Sequence, residues 1–350
     1  MGTNILTFLN ESTHFELNSW NPEIREGISL ITAVKNRSET LREAIQTWIS
    51  HKEIDEIIIV DWSSDESLVP LVEEFQDGWI FLAIVKDQPT WILSYAYNLA
   101  ARLSSRDKLL KIDADVKILP NFFKSHVLTP GVFYTGNWRL GKDENETHLN
   151  GNLFLYRHQY FQANGYNEFI KSYGWDDSDL FSRLDNMGLQ QLDFVLSELY
   201  HIPHENRTTY QSTTNFLPYI GDLERSHINI LMNRYLATGD NSWRSDCVMT
   251  NYDIEILDKN TIRCYQQKKE SFDHPDNLIL KSHLMAIKDR FQQLGIEIPE
   301  KIFNQLSRDE IIAFYTLVIT KELHYPGELL VSLIRKLINI NELDTGIPHN

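Results

Sequence analysis

The chain has 350 residues, 42% hydrophobic and 23% charged, the composition of a globular protein long enough for one large domain or two ordinary ones. Its formal net charge of −16 repels phosphate backbones, which argues against a nucleic-acid partner but leaves room for a nucleotide at one local site. Two cysteines (Cys247 and Cys264), a start MGTNILTFLNES without a basic n-region, and the absence of a long apolar run exclude a disulfide framework and predict a cytoplasmic protein with no integral membrane segment.

After an N-terminal extension (1–25), ISLITAV at 28–34 reads as a buried strand. From Ser38, an N-cap, to about His51, the residues Leu41, Ile45, Trp48 and Ile49 recur at helical spacing. IDEIIIVD (54–61) is a second buried strand, followed by a helix over about 67–75. WIFLAIV (79–85) is a third strand, 91–104 a helix, and LLKIDADV (109–116) a fourth strand. Strand and helix alternate in a way that implies an α/β fold, a mostly parallel sheet with helices on both faces. Ligands in such sheets bind outside the carboxyl ends of the strands, where Asp61, Asp113 and Asp115 fall.

Residues 132–157 read as short β segments, 176–187 as a helix, and LDFVLSELYHI (192–202) as strand-like. Beyond about 215 the pattern turns helical, over 222–237, 278–294, 300–306, 308–321 and 327–340, with Asn277 and Ser307 as caps. The expected organisation is an α/β domain over 26–214 and a helical C-terminal subdomain over 215–350.

The tightest chemical clue is Lys111-Ile112-Asp113-Ala114-Asp115. In an extended segment the two carboxylates point to one side, where hard oxygens can hold Mn²⁺ or Mg²⁺ against a diphosphate. The bland reading is a solvated strand-end turn. Asp61 closes the second strand and suits either a nucleoside contact or an Asx turn with the following Ser63-Ser64. Tyr173-Gly174-Trp175-Asp176-Asp177-Ser178-Asp179 places acids at a helix start, which suits the macrodipole and accounts for Asp179. It does not account for the neighbouring aromatics, whose faces suit sugar stacking while a carboxylate serves as general base. His201-Ile202-Pro203-His204 adds two potential metal-ligating nitrogens.

In this order, TAVKNR (32–37), IIIVDWSSD (57–65), LLKIDADV (109–116), HLNGNLFLYR (148–157), GYNEFIKSYGWDDSDLFSRL (165–184) and HIPHENR (201–207) resemble the GT-A fold nucleotide-sugar glycosyltransferases. The likeness is to the galactosyltransferase and polypeptide N-acetylgalactosaminyltransferase group and to bacterial family 2 enzymes. The resemblance implies a metal-dependent, inverting transfer of a hexose or N-acetylhexosamine from a UDP-sugar to an acceptor hydroxyl of a saccharide, glycan or protein. It implies Asp113 and Asp115 as the metal and diphosphate pair, with His204 as third ligand and His201 beside it. It assigns donor binding to Asp61, Asn36, Arg37, Asp113 and Lys111, and substrate binding to Gly151, Asn152, Tyr173 and Trp175. Asp176 and Asp177 take the acceptor side, with Asp177 as general base. The Asp-Asp-Gly-Ser turn of the family is Asp61-Trp62-Ser63-Ser64 here, and residues 215–350 carry no family pattern. Two other classes compete: a nucleotidyltransferase or sugar-nucleotide pyrophosphorylase, against which TAVKNRSET offers no glycine, and a non-catalytic sugar-nucleotide-binding protein of the same fold.

Overall fold

The computed structural model describes residues 13–75, 78–204, 219–238, 243, 246–267, 276–322 and 324–344. The expected N-terminal extension up to residue 12 and the Glu-Asn-Arg end of HIPHENR (205–207) lie outside these residues. The chain divides into two compact units, one drawn from Met1–Lys171, Asp176–Asn206 and Trp243–Phe272, the other from Ser172–Trp175, Arg207–Ser242 and Asp273–Asn350.

In the first unit the strands are β1 (His14–Glu16), β2 (Arg25–Val34), β3 (Ile54–Trp62), β4 (Ile80–Val85), β5 (Arg106–Lys111), β6 (Val116–Ile118), β7 (Val132–Thr135), β8 (Leu153–Tyr156), β9 (Gln190–Asp193), β10 (Leu199–His201), β11 (Tyr252–Ile256) and β12 (Thr261–Gln266). Ten of them form one sheet in the order β1-β11-β12-β4-β3-β2-β5-β8-β7-β9, and β6 pairs with β10 separately. The central run β12-β4-β3-β2-β5 is parallel. From β2 the order proceeds through β3 to β4 on one side and places β5 on the other. The strand order therefore reverses between β2 and β5, and the crevice outside their carboxyl ends is where such a sheet binds ligands.

Period-two alternation divides the strand residues between two cores. Leu30, Ile57, Ile59 and Leu110 pack on one face with Leu41, Ala44, Ile45 and Trp48 of α1 (Ser38–Trp48). Ile31, Ala33, Ile58, Val60 and Leu109 pack on the other with Ala96, Tyr97, Leu99 and Ala100 of α3 (Leu93–Leu103), which follows α2 (Val69–Glu74) in the chain. Trp48 is fully buried, and its Nε1–H donates to the Val116 carbonyl at 2.9 Å, tying α1 to β6.

Three segments differ from the sequence expectation. The strand expected over 109–116 stops at Lys111, which pairs with Ile31 and Leu153 on its two sides; Asp113–Asp115 is then a turn closed by Val116 N–H to the Asp113 carbonyl at 3.0 Å. The strand expected over 192–202 splits into β9, a 3-10 turn at Leu196–Glu198, and β10. Within 215–350, expected to be helical, β11 and β12 join the main sheet, β12 lying parallel to β4. Tyr252, Ile254 and Ile256 alternate with Asp253 and Glu255, a strand period that helical patterns on both sides mask. β1, from the N-terminal extension, pairs with β11.

The second unit contains α8 (Asp222–Thr238), α9 (Asp276–Gln293), α10 (Glu300–Phe303), α11 (Arg308–Thr320) and α12 (Gly327–Asp344). The remaining helices of the first unit are α4 (Phe122–Ser125), α5 (Glu144–Thr147), α6 (Arg157–Gln162) and α7 (Asp176–Asn186). Ser307 caps α11 in a capping box with Glu310. Asn277 is not a cap, because α9 already begins at Asp276. Among the described residues no helix is long and apolar enough to cross a membrane.

Trp48→Phe keeps an aromatic ring but removes the donor to Val116. It should lower stability by about 1–3 kcal/mol, read as a shift of the denaturant midpoint with unchanged slope.

Candidate active site

The loop after β2 and the turn after β5 meet the requirement of the switch point. Asn36 has φ +56, and its side chain exchanges two hydrogen bonds with Asp65: Asn36 Nδ2 donates to Asp65 Oδ2, and Asp65 N–H donates to Asn36 Oδ1, both at 2.8 Å. The pair locks the loops after β2 and β3 together, with Arg37 next in the chain before α1. Asp61 is 2% exposed and accepts from Ser64 N–H at 2.9 Å, so it closes an Asx-type turn at the end of β3. Burial raises its pKa. Lys35 Nζ donates to the carbonyls of Trp62, Ser63 and Gln88, holding these strand ends in place.

Lys111, expected among the donor-binding residues, is 2% exposed, and its ammonium is directed inward. Nζ donates to Asp113 Oδ1 at 2.8 Å and to the Gly151 carbonyl at 2.9 Å, and lies 4.5 Å from the Tyr97 ring centroid. Burial opposes its charge, but Asp113 and Asp177 outweigh burial and raise its pKa. Tyr97 OH donates to the same Asp113 oxygen at 2.9 Å. Asn152 Oδ1 accepts from Asp113 N–H at 3.0 Å while its Nδ2 donates to the Leu149 carbonyl at 2.9 Å. Asn152 thus fixes the turn after β5 against the strand entry of β8, a structural task within the site.

Asp115 meets the histidines. Its Oδ2 lies 3.0 Å from His204 Nε2, and one ligand atom each of Asp115, His201 and His204 falls within 4.8 Å of the others, the arrangement of a metal-binding group. The pairing of β10 with β6 brings them together, with His201 opposite Val116 and Ile202 N–H donating to the Asp115 carbonyl at 2.7 Å. Asn145 grips the His201 backbone at both its carbonyl and its N–H, and the His148 ring stacks on His201 at 4.7 Å. Burial keeps the pKa of His201 low, which favours the neutral, ligating imidazole. Asp113 is not one of this group of three.

The expected acidic pair opens α7 in the first unit. Gly151 has φ +88, and a Cβ there would lie 2.7 Å from Asp177 Oδ2, so the bare glycine backbone is what admits this carboxylate beside Lys111 and Asp113. Tyr166 OH donates to Asp177 Oδ1 at 2.9 Å. Burial raises the pKa of Asp177, with Lys111 acting in the opposite direction. Burial and the neighbouring Asp177 raise that of Asp176. Asp179 is bound by Arg183, the local helix role expected of it. Tyr173 and Trp175 group with the second unit, while Asp176 and Asp177 belong to the first.

Sequence reasoning missed Tyr97, Tyr166, Asn145 and His148. Tyr97 reads as one more apolar residue on α3, and only the fold brings its hydroxyl to Asp113. Tyr166 and His148 lie inside the quoted segments GYNEF and HLNGN, with no spacing signal of their own.

Residues 29–129 match the family described as glycosyl transferase family 2, and residues 139–205 match the N-terminal domain of galactosyltransferase. The first match contains Asp113 and Asp115, and the second contains Gly151, Asp177, His201 and His204. Among solved structures, the catalytic domain of Drosophila β1,4-galactosyltransferase 7 in complex with xylobiose is similar at 14% identity, over 72% of this chain and 98% of that one, with a TM-score of 0.47. A mannosyltransferase of Pyrobaculum calidifontis in complex with GDP-Man and Mn²⁺ is similar at 11% identity, over 95% of this chain and 92% of that one, with a TM-score of 0.42. No curated protein sequence matches.

Two glycines at positive φ separate backbone strain from the contact with Asp177. Gly131 (φ +83) has open space where a Cβ would go, so Gly131→Ala meets only the backbone penalty, about 1–2 kcal/mol. Gly151→Ala also drives a methyl group into Asp177 and should be the more destabilised of the two in parallel denaturant titrations.

Proposed function

We propose that this GT-A glycosyltransferase transfers a hexose or N-acetylhexosamine from a UDP-sugar to an acceptor hydroxyl, with inversion and with a divalent metal. The reading is carried by the cluster of Asp115, His201 and His204 at the turn that also bears Asp113. One carboxylate oxygen and two imidazole nitrogens form a donor set that fits Mn²⁺ better than Mg²⁺, which favours oxygen ligands throughout, and three protein ligands leave positions for diphosphate oxygens. When bound, such an ion offsets the charge that develops on the leaving diphosphate.

The chain's own residues supply the rest. Asp177 accepts the proton of the acceptor hydroxyl as the sugar–diphosphate bond breaks. A half-buried carboxylate with a raised pKa is a stronger base than a solvated one, and Tyr166 holds its orientation. Asp176 accepts a hydrogen bond from a neighbouring acceptor hydroxyl. Lys111 offsets the repulsion between Asp113 and Asp177 while both are ionised. Asn36 and Arg37 bind the nucleotide from the loop after β2, with Asp61 shaping the adjacent turn. Tyr173 and Trp175 stack on sugar rings. The scarcity of cysteine, two residues in 350, suits a reducing, cytoplasmic setting.

The first test is release of UDP from a panel of UDP-sugars. Chelator should abolish it, and Mn²⁺ should restore it more fully than Mg²⁺. Asp115→Ala and His204→Ala should each raise the Mn²⁺ concentration needed for half-maximal activity. Undiminished turnover in excess chelator would overturn the metal assignment.

The second test addresses the base. Asp177→Asn should cut turnover by about 10²-fold or more with donor affinity unchanged. The product from an α-linked donor should carry a β-linkage. The base acts only when ionised, so activity should fall with decreasing pH through a pKa above the ordinary aspartate value, since burial raises that of Asp177. A retained anomeric configuration, or an acid limb at the ordinary aspartate value, argues against Asp177 in this role.

A further inference from the structure

The Tyr173–Gly174–Trp175 turn has an unusual backbone. Gly174 has φ +99 and Trp175 φ +70, two consecutive residues in the left-handed region. For a bulky side chain such as tryptophan this is an outlier, and it persists only when the surroundings over-determine it. Within the second unit, one side chain of α8 bonds the turn at several points. Asn233 is fully buried, and its Nδ2 lies 3.1 Å from the Ser172 carbonyl, 3.2 Å from the Tyr173 carbonyl and 3.0 Å from the Gly174 carbonyl. Ser172 Oγ lies 3.1 Å from the same nitrogen and 3.4 Å from Asn233 Oδ1. An amide nitrogen carries two hydrogens, so three carbonyl dipoles converge on a shared pair of donors. Without that amide the carbonyls would face one another without their shared donor in a partly buried turn. The turn held in this way presents the Tyr173 side chain outward, with the residue 56% exposed. A fixed backbone carrying an exposed ring is the arrangement that binding by stacking requires, because the ordering is complete before the ligand arrives.

We propose that Asn233 is a positioning residue that holds the Tyr173–Trp175 turn in its acceptor-binding conformation, which gives α8 of the otherwise unassigned C-terminal region a role in substrate recognition. The proposal rests on the reading above that these two rings stack on sugar. It differs from a plain packing role, in which the loss of Asn233 lowers stability and leaves the balance between donor and acceptor recognition unchanged.

The experiment uses the full chain and the Asn233→Asp variant, which keeps the shape and removes both donors. Amide hydrogen exchange of peptides covering 172–176 should accelerate by about tenfold or more. The acceptor KM should rise by about tenfold or more, with donor Kd and kcat at saturating acceptor changing by no more than about threefold. Gly174→Ala attacks the same turn from the other side. Its Cβ would meet Ile230 at an ordinary 3.5 Å, so only the φ is strained, and the same two readings should move in the same direction. If Asn233→Asp does not fold, Gly174→Ala decides alone. Unchanged exchange, an unchanged acceptor KM, or a parallel loss of donor and acceptor binding would each overturn the proposal. A wild-type protein that releases no UDP from any UDP-sugar would instead overturn the UDP-sugar reading, and the exchange measurement would still judge the hold of Asn233 on the turn.

Discussion

The Lys111 ammonium at the end of β5 sets the terms for everything around it. A charge buried this completely is stable only with close opposite partners, because burial alone strongly disfavours it. Asp113 supplies one partner, the Gly151 carbonyl another, and Asp177 the wider field. Those three groups come from the turn after β5, the entry to β8 and the start of α7. One cation therefore fixes the mutual distance of three chain segments that are far apart in sequence. The aspartates around it are held close together without a prohibitive repulsion, which a site of mostly acidic residues requires before any ligand is present.

The two tyrosines extend the same logic. Tyr97 and Tyr166 each give their one hydroxyl proton to an aspartate, Asp113 in one case and Asp177 in the other. Burial raises both phenol pKa values, and the carboxylates raise them further, so both remain donors. Each aspartate is left with one oxygen outside these bonds to the tyrosines and Lys111. Orientation in this site comes from neutral donors and one buried cation, and not from exposed salt bridges, which salt would screen.

The parallel sheet was legible because its strands are continuous β-branched runs and its helices repeat at helical spacing, signals that depend only on neighbours in the chain. Ser307 was legible as a cap for the same reason, since its partner Glu310 is three residues away. The positions of Asp113, Asp115, Asp177, His201 and His204 were legible as motifs, but their grouping was not. Alternation along a strand would have put Asp113 and Asp115 on one side, whereas β5 stops at Lys111 and the turn sends Asp115 to the histidines and Asp113 to Lys111. That division depends on where a strand loses its neighbours, which is a property of the sheet. β11 and β12 escaped notice for a related reason, since five- and six-residue strands between long helices carry too few periods to stand out.

The return of β12 to the sheet has a consequence for how the chain must be made. IFLAIV of β4 is wholly apolar, and β3 covers only one of its edges. Its other edge is closed by Thr261–Cys264 of β12, about half the chain further on. During synthesis an uncharged strand with bare backbone donors and acceptors must wait for the segment that covers it, the kind of edge that recruits strands from other molecules. The net charge of −16 opposes such association between copies, before the sheet is closed as well as after.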